Sequence, residues 1–249
     1  HEDLQSKSGF SYRTLLGEMM FAYVSCRPDI GYAVTLMSKY GSNPTAYHYS
    51  CLKNIARYLR TTRNWGIRYY RSDIDKSLEA GETIDLKKNE SLPSYPEDIK
   101  QGKLICFVDA VYGNDPKRRR STTGYAFTYA GGAIVYRSKA QSITAQSSTE
   151  AEFIAAVTAA KTAKYLRSVL NELGFVQNEP TPIYEDNASA IEIINAQKPT
   201  ERSRHIEIRF FAIQEWKMKG EIKMLHIPGV INPADDLTKP LGWILHSRH

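Results

Sequence analysis

The sequence has only three cysteines, and their spacing disfavours both a disulfide-stabilised and a zinc-stabilised protein. Cys26, Cys51 and Cys106 are far apart and odd in number. This spacing argues against a disulfide framework and a zinc site, and it favours a reducing compartment. No run of 18 apolar residues occurs, so no membrane span is expected. The opening HEDLQSKSGF lacks both an initiator Met and signal-peptide features, which predicts a fragment of a longer chain.

The composition is that of a globular protein with an excess of basic residues. Of the 249 residues, 42% are hydrophobic and 24% are charged, which suffices for one large domain or two small ones. The net charge of +6 and the isoelectric point of about 9.1 are compatible with a polyanionic partner without requiring one.

The spacing of apolar residues divides the chain into two parts. Helical periodicity predicts helices over 11–25, 28–40 and 46–59, and GIRYY at 66–70 favours a short strand. Residues 71–100 are polar and irregular, so we predict a linker there. We therefore expect a helical segment over 1–70 and a second domain over 101–249.

The second domain has an α/β pattern. Apolar runs predict five strands, over 103–110, 123–130, 131–139, 181–186 and 221–228, with Gly131-Gly132 as a hairpin turn. Helices are predicted over 149–173, 187–196 and 205–219, the first of them ended by Gly174. This order of elements predicts a five-stranded mixed sheet flanked by helices.

Two predicted strands end in an acidic residue, Asp109 and Asp186. A single aspartate at such a position is readily explained as a cap of the following turn or helix. If the two strands are neighbours, however, the carboxylates meet and repel each other unless a divalent cation neutralises them. Because α/β folds place their sites at strand ends, the pair favours a metal site.

The helix that begins near residue 149 carries two glutamates, Glu150 and Glu152, that point in opposite directions. At 100° per residue, Glu152 shares the small-residue stripe of Ala156, Ala159 and Ala163, which suits close packing on a sheet. Glu150 lies about 160° away. We expect Glu152 to face the sheet and Glu150 to face water as a first-turn acid favourable to the helix dipole.

Asp235 and Asp236, in ADDLTK, follow a loop rich in Pro and Gly, and either could cap the next turn. Several carboxylates without cysteine or paired histidines are hard oxygen ligands, which suit Mg²⁺ or Mn²⁺. Two such ions about 4 Å apart can activate water and stabilise the leaving oxygen in phosphodiester cleavage.

Basic and hydroxyl residues near these acids allow two interpretations each. The run KRRR at 117–120 is either a solvated turn or a contact to backbone phosphates. Ser147, Ser148 and Thr149 are candidate caps of the long helix, whose free N–H groups could also hold a phosphate.

Five motifs of the second domain together resemble the ribonuclease H domain of Ty1/copia-type retrotransposon polyproteins: FVDA, QSSTEAEFIAA, IYEDNASAI, SRHIEIRF and ADDLTKPL. The upstream stretches SYRTLLGEMMFAYVSCRPDIGYAV and NPTAYHYSCLKNIARYLRTT resemble the end of the reverse transcriptase in the same polyprotein, a thumb- or connection-like segment. No Tyr-x-Asp-Asp polymerase motif is present, so this segment is not expected to polymerise DNA by itself.

The resemblance implies a catalytic and metal-binding set of Asp109, Glu152, Asp186 and Asp235, holding two Mg²⁺ or Mn²⁺ ions. The implied activity is hydrolysis of the RNA strand of RNA/DNA hybrids, recognised by shape and 2′-OH groups. Substrate contacts are expected from six residues: Ser148, Thr149, Asn187, Arg119, Arg204 and His205.

The chain departs from the family pattern at Ala188 and Phe211, where a polar residue and a histidine are common. The loop IPGVINPADD also lacks the histidine that many relatives carry before the last acid. The rival hypothesis is therefore a hybrid-binding scaffold without catalysis, or a decayed element copy.

The resemblance implies partners and a location as well. The partners are the hybrid, the palm and fingers of the reverse transcriptase, and the integrase, with no membrane and with a homo-oligomer left open. The expected location is the cytoplasm, in virus-like particles, with the nucleus as the alternative.

Overall fold

A computed structural model describes residues 2–69, 102–115, 117–196 and 207–247. In the first of these ranges four α-helices follow one another: α1 (Glu2–Ser8), α2 (Tyr12–Ser25), α3 (Gly31–Ser38) and α4 (Ala46–Thr61). The strands are β1 (Ile105–Val111), β2 (Thr122–Tyr129), β3 (Gly132–Ala140), β4 (Thr181–Glu185) and β5 (Ile222–His226). The later helices are α5 (Ser148–Glu172), α6 (Ala188–Asn195), α7 (Glu207–Met218) and α8 (Trp243–His246).

The five strands form one mixed sheet in the order β3-β2-β1-β4-β5. β1, β2 and β3 form an antiparallel meander, whereas β4 runs parallel to both β1 and β5. The parallel pairing of β1 and β4 brings the carboxyl ends of these two strands together at one edge. The condition under which Asp109 and Asp186 were expected to meet is therefore fulfilled. The predicted fold class, a five-stranded mixed sheet flanked by helices after a mainly helical segment, is confirmed.

Helix α5 covers one face of the sheet because its small side chains permit close approach. Ala156, Ala159 and Ala163 are fully buried, together with Phe153 on the same helix. They share a core with Cys106 and other alternate residues of β1. The predicted alanine stripe is confirmed, and Gly174 ends the helix region with a φ of 85°.

The helical segment packs on the opposite face of the sheet. Its core, built on α2, α3 and α4, includes Ala126 of β2 and Leu237 near the end of the chain. Tyr136 of β3 donates its hydroxyl proton to the Tyr23 carbonyl at 2.7 Å, and the Tyr23 hydroxyl accepts the Ser138 N–H at 3.0 Å. The first helices therefore form a second core on this face of the sheet, distinct from the core between the sheet and α5.

Two local predictions need correction, and one helix was missed. Residues 66–69 form no strand; Tyr69 instead contacts the start of β3 through its side chain, donating a hydrogen bond to the Ala133 carbonyl at 2.9 Å. The hairpin turn is Ala130-Gly131, both with positive φ, and Gly132 already pairs with Tyr129. Helix α1 was not expected from the sequence.

The predicted linker over 71–100 lies outside the described residues. Within the described ranges, no helix combines the length and the apolar character that crossing a membrane requires.

Candidate metal centre

Three acidic side chains from three different elements meet at the carboxyl ends of β1 and β4. Asp109 belongs to β1, Glu152 lies one turn into α5, and Asp186 directly follows β4. One carboxylate oxygen from each lies within 4.8 Å of the other two. Asp109 and Glu152 are buried and Asp186 is half-buried. The prediction that these carboxylates meet is confirmed.

The local sequence fixes the direction of Asp186. Asn187 caps α6, since its side chain accepts the Ala190 N–H at 3.0 Å, and its own N–H donates to Glu185 Oε1 at 3.2 Å. These two bonds hold the turn between β4 and α6, and with it the Asp186 backbone. Asn187, predicted to contact substrate, thus has a structural task as well.

Glu152 is held by the start of α5. Ser147 is the N-cap, and its hydroxyl accepts the Glu150 N–H at 3.1 Å. The expectation that Glu150 faces water is wrong: the residue is only 5% exposed. Its carboxylate turns back over the helix end and accepts the Gln146 N–H at 2.6 Å, so it caps the preceding turn instead of pointing outward.

Asp235 lies on a single 3-10 turn, Pro233–Leu237, which Asn232 anchors to the sheet. The Asn232 side chain donates to the Val108 carbonyl at 2.9 Å and accepts the Ala234 N–H at 3.2 Å. Gly124 of β2 allows the turn to approach closely, because a Cβ there would lie 2.9 Å from the Ala234 carbonyl oxygen.

Asp235 does not join the group of three, but it lies beside Asp109. Lys239 stands between them, with its Nζ 2.8 Å from Asp235 Oδ1 and 4.0 Å from Asp109 Oδ2. Thr238 donates its hydroxyl proton to Asp109 Oδ2 as well. Sequence reasoning missed Lys239, although its position four residues after Asp235 was a usable signal for an ion pair.

Burial and mutual repulsion raise the pKa values of these acids. The pKa of Glu152 lies far above its ordinary value because of burial first and the charges of Glu185 and Asp109 second. Burial also raises the pKa of Asp109, and burial together with Asp109 raises that of Asp235 to about 7. Burial lowers the pKa of Lys239, but Asp109 and Asp235 more than offset this and the net shift is upward.

Glu185 is a fifth acid that sequence reasoning did not identify. It is fully buried at the end of β4, and its Oε2 has no hydrogen-bond partner among the described residues. Burial and the charge of Asp186 raise its pKa. The sequence signal for this acid was its place directly before Asp186 at the end of an apolar strand, where successive side chains point to opposite faces of the sheet.

Asp236 turns away from this group toward the helical segment. His246 of α8 connects the two parts, with Nδ1 2.7 Å from Asp236 Oδ1 and Nε2 3.0 Å from the Tyr58 hydroxyl of α4. Tyr58 in turn donates to Asp29 at 2.7 Å. The two neighbouring aspartates thus differ in role, since Asp236 holds the end of the chain against the helices.

The structure describes three of the other five residues that were predicted to contact the substrate. Ser148 is exposed and Thr149 half-buried in the first turn of α5, directly after the N-cap. Arg119 is exposed in the loop between β1 and β2, which folds around Asp115; Asp115 in turn pairs with Lys39 of the helical segment at 3.3 Å. Arg204 and His205 lie outside the described residues. The substrate roles of these residues stay predictions.

The donor set fits a hard divalent cation. The candidate ligands are carboxylates, and Glu152 Oε2 is a buried oxygen that finds no hydrogen-bond partner in the described part of the chain. An unpartnered buried carboxylate oxygen is costly, and a cation between the three carboxylates would satisfy it. Oxygen ligands of this kind suit Mg²⁺ or Mn²⁺.

Comparison with known proteins gives a consistent set of relatives, although no family model matches the chain. The Pol polyprotein of transposon TNT 1-94 from Nicotiana tabacum is 36% identical over 228 residues, 92% of this chain. That of transposon RE1 from Arabidopsis thaliana is 31% identical over 231 residues, 93% of this chain. The chain spans only 15% and 14% of their lengths, respectively.

Among solved structures, LC11 ribonuclease H1 isolated from compost is 18% identical, with a TM-score of 0.44 over 55% of this chain and 94% of that chain.

Proposed function

Because the chain belongs to the Pol polyproteins of copia-type retrotransposons, of which it covers a segment, we propose that it is their ribonuclease H. The proposed reaction is metal-dependent hydrolysis of the RNA strand of an RNA/DNA hybrid during reverse transcription. The single observation that carries the proposal is the meeting of Asp109, Glu152 and Asp186, with one oxygen of each within 4.8 Å of the others.

The four predicted acids have distinct tasks in this proposal. Asp109, Glu152 and Asp186 would hold one Mg²⁺ or Mn²⁺ ion, and Asp235 together with Asp109 would hold a second. When bound, such ions lower the pKa of water and neutralise the charge that develops on a phosphate. The chain itself supplies rigid placement, because β1, β4 and α5 fix three of the carboxylates before any cation arrives.

The hybrid is proposed to lie across the face that carries this group. Arg119 in the loop between β1 and β2, and Ser148 and Thr149 in the first turn of α5, are the described candidates for phosphate contacts. The remaining palm and fingers and the integrase of the polyprotein complete the proposed set of partners. Action inside cytoplasmic virus-like particles is part of the same proposal.

The test uses the full chain with a hybrid labelled on its RNA strand, in Mg²⁺ and in Mn²⁺. Single-stranded RNA and double-stranded RNA are supplied in parallel. We expect cleavage of the hybrid alone, abolished in Asp186→Asn and retained in Glu192→Gln, an exposed acid on α6. Hybrid binding without cleavage would favour the non-catalytic scaffold instead.

A further inference from the structure

The acidic group already contains one cation of the protein's own. The ammonium of Lys239 lies 2.8 Å from Asp235 Oδ1 and 4.0 Å from Asp109 Oδ2. Asp109 also lies with Glu152 and Asp186, and Glu152 Oε2 is buried without a hydrogen-bond partner among the described residues. Before any metal ion binds, Asp109 and Asp235 therefore share a cation of the chain, whereas Glu152 keeps an unpartnered buried oxygen.

The backbone holds Lys239 in this position. Its N–H donates to the Asp235 carbonyl at 3.1 Å, as does the N–H of Thr238. Thr238 also anchors its hydroxyl on Asp109, so the root of the lysine side chain is fixed to both acids that the ammonium contacts. The backbone contacts of Lys239 and Thr238 therefore hold the lysine next to the acidic group.

The side chain of Lys239 has space into which it can withdraw. It lines a cavity of about 440 Å³ between the helical segment and the end of the chain, together with Leu36, Tyr58 and Leu241. The side chain is also 38% exposed, so moving the ammonium does not strand it in an apolar core.

We propose that Lys239 is a tethered cation that occupies the Asp109–Asp235 side and must be displaced before a divalent ion binds there. This inference rests on the proposed function, because it assumes that the acids are metal ligands. An ammonium and a divalent ion a few ångströms apart repel each other, so the second ion binds more weakly than the first. Full loading would then await a substrate phosphate, whose negative charge favours the second ion and can pair with the released lysine.

The test counts Mn²⁺ ions bound to the full chain without nucleic acid, by isothermal titration calorimetry and by the electron paramagnetic resonance signal of free Mn²⁺. Wild type is compared with Lys239→Met, Lys239→Gln and Lys239→Arg. Lys223→Met, an exposed lysine of β5, is the matched control, and urea unfolding verifies that each variant is folded.

We expect wild type to bind one Mn²⁺ tightly and a second at least about tenfold more weakly, since removal of one nearby positive charge is worth about that factor. Lys239→Met and Lys239→Gln should bind the second ion about tenfold more tightly, while Lys239→Arg and Lys223→Met behave as wild type. If the second Mn²⁺ binds to both neutral variants with unchanged or lower affinity, this inference alone is overturned, provided that the first Mn²⁺ still binds to them and is lost in Asp186→Asn. Absence of any Mn²⁺ binding in wild type overturns the proposed function and this inference with it.

Discussion

Asn232 is expected to be the main structural support of Asp235, and its replacement by alanine measures that support. The side chain is fully buried and makes two hydrogen bonds, one to the Val108 carbonyl of β1 and one from the Ala234 N–H. Alanine removes both. Loss of the donor to a buried carbonyl costs about 1–3 kcal/mol, and loss of the cap costs about 1 kcal/mol. We therefore expect Asn232→Ala to lower the free energy of unfolding by about 2–4 kcal/mol.

The assay is urea unfolding of the full chain, with Asn187→Ala as the matched control. Asn187 also caps a helix through one acceptor bond, from the Ala190 N–H, but it is half-buried and, within the described ranges, its side chain makes no hydrogen bond to a neighbouring strand. Its replacement should cost only about 1 kcal/mol. If Asn232→Ala costs no more than Asn187→Ala, the reasoning that the bond to β1 fixes the turn of Asp235 is refuted.

Three further predictions concern the same group of residues. Because the folded pKa of Asp235 is raised from 3.8 to about 7, the folded state keeps a proton that the unfolded state has lost within this interval. The metal-free wild type should therefore lose stability relative to Asp235→Asn as the pH rises from about 4 to about 7, measured by thermal unfolding; a constant difference contradicts this. A Cβ at Gly229 would lie 2.8 Å from Asp186 Oδ2, so Gly229→Ala should weaken Mn²⁺ binding several-fold in calorimetry, with a stability change below about 0.5 kcal/mol. A Cβ at Gly124 would lie 2.5 Å from Thr238 Cγ2, so Gly124→Ala should cost about 1–3 kcal/mol in urea unfolding, and a neutral result would show that the turn yields freely.

The parts of the site that follow from local periodicity were predictable from the sequence. Apolar runs that each end in an acid predicted Asp109 and Asp186, and helical spacing selected Glu152 over Glu150. The same spacing failed for the surroundings of Glu150, because a capping side chain turns back over the helix end and becomes buried there. Periodicity gives the direction in which a side chain leaves the helix and says nothing of what then covers it.

The parts that depend on long-range packing were not predictable in this way. An amphipathic helix has a buried face, but its sequence does not say which surface it covers, so the packing of α2, α3 and α4 against β2 and β3 was not foreseen. The bridge from Tyr58 through His246 to Asp236 depends on a contact between residues 188 positions apart. Glu185 was missed for a related reason, since its burial depends on α5 lying over the end of β4.

Whether Asp109, Glu152 and Asp186 form a divalent-metal site is decided by locating the cation directly. The measurement is anomalous diffraction from crystals of the full chain soaked in Mn²⁺, with Asp186→Asn crystals treated identically. We expect an anomalous peak bounded by these three carboxylates in wild type and its loss in the variant. An ordered acidic group without a peak, or Mn²⁺ bound only elsewhere on the chain, would show that these carboxylates are not a metal site.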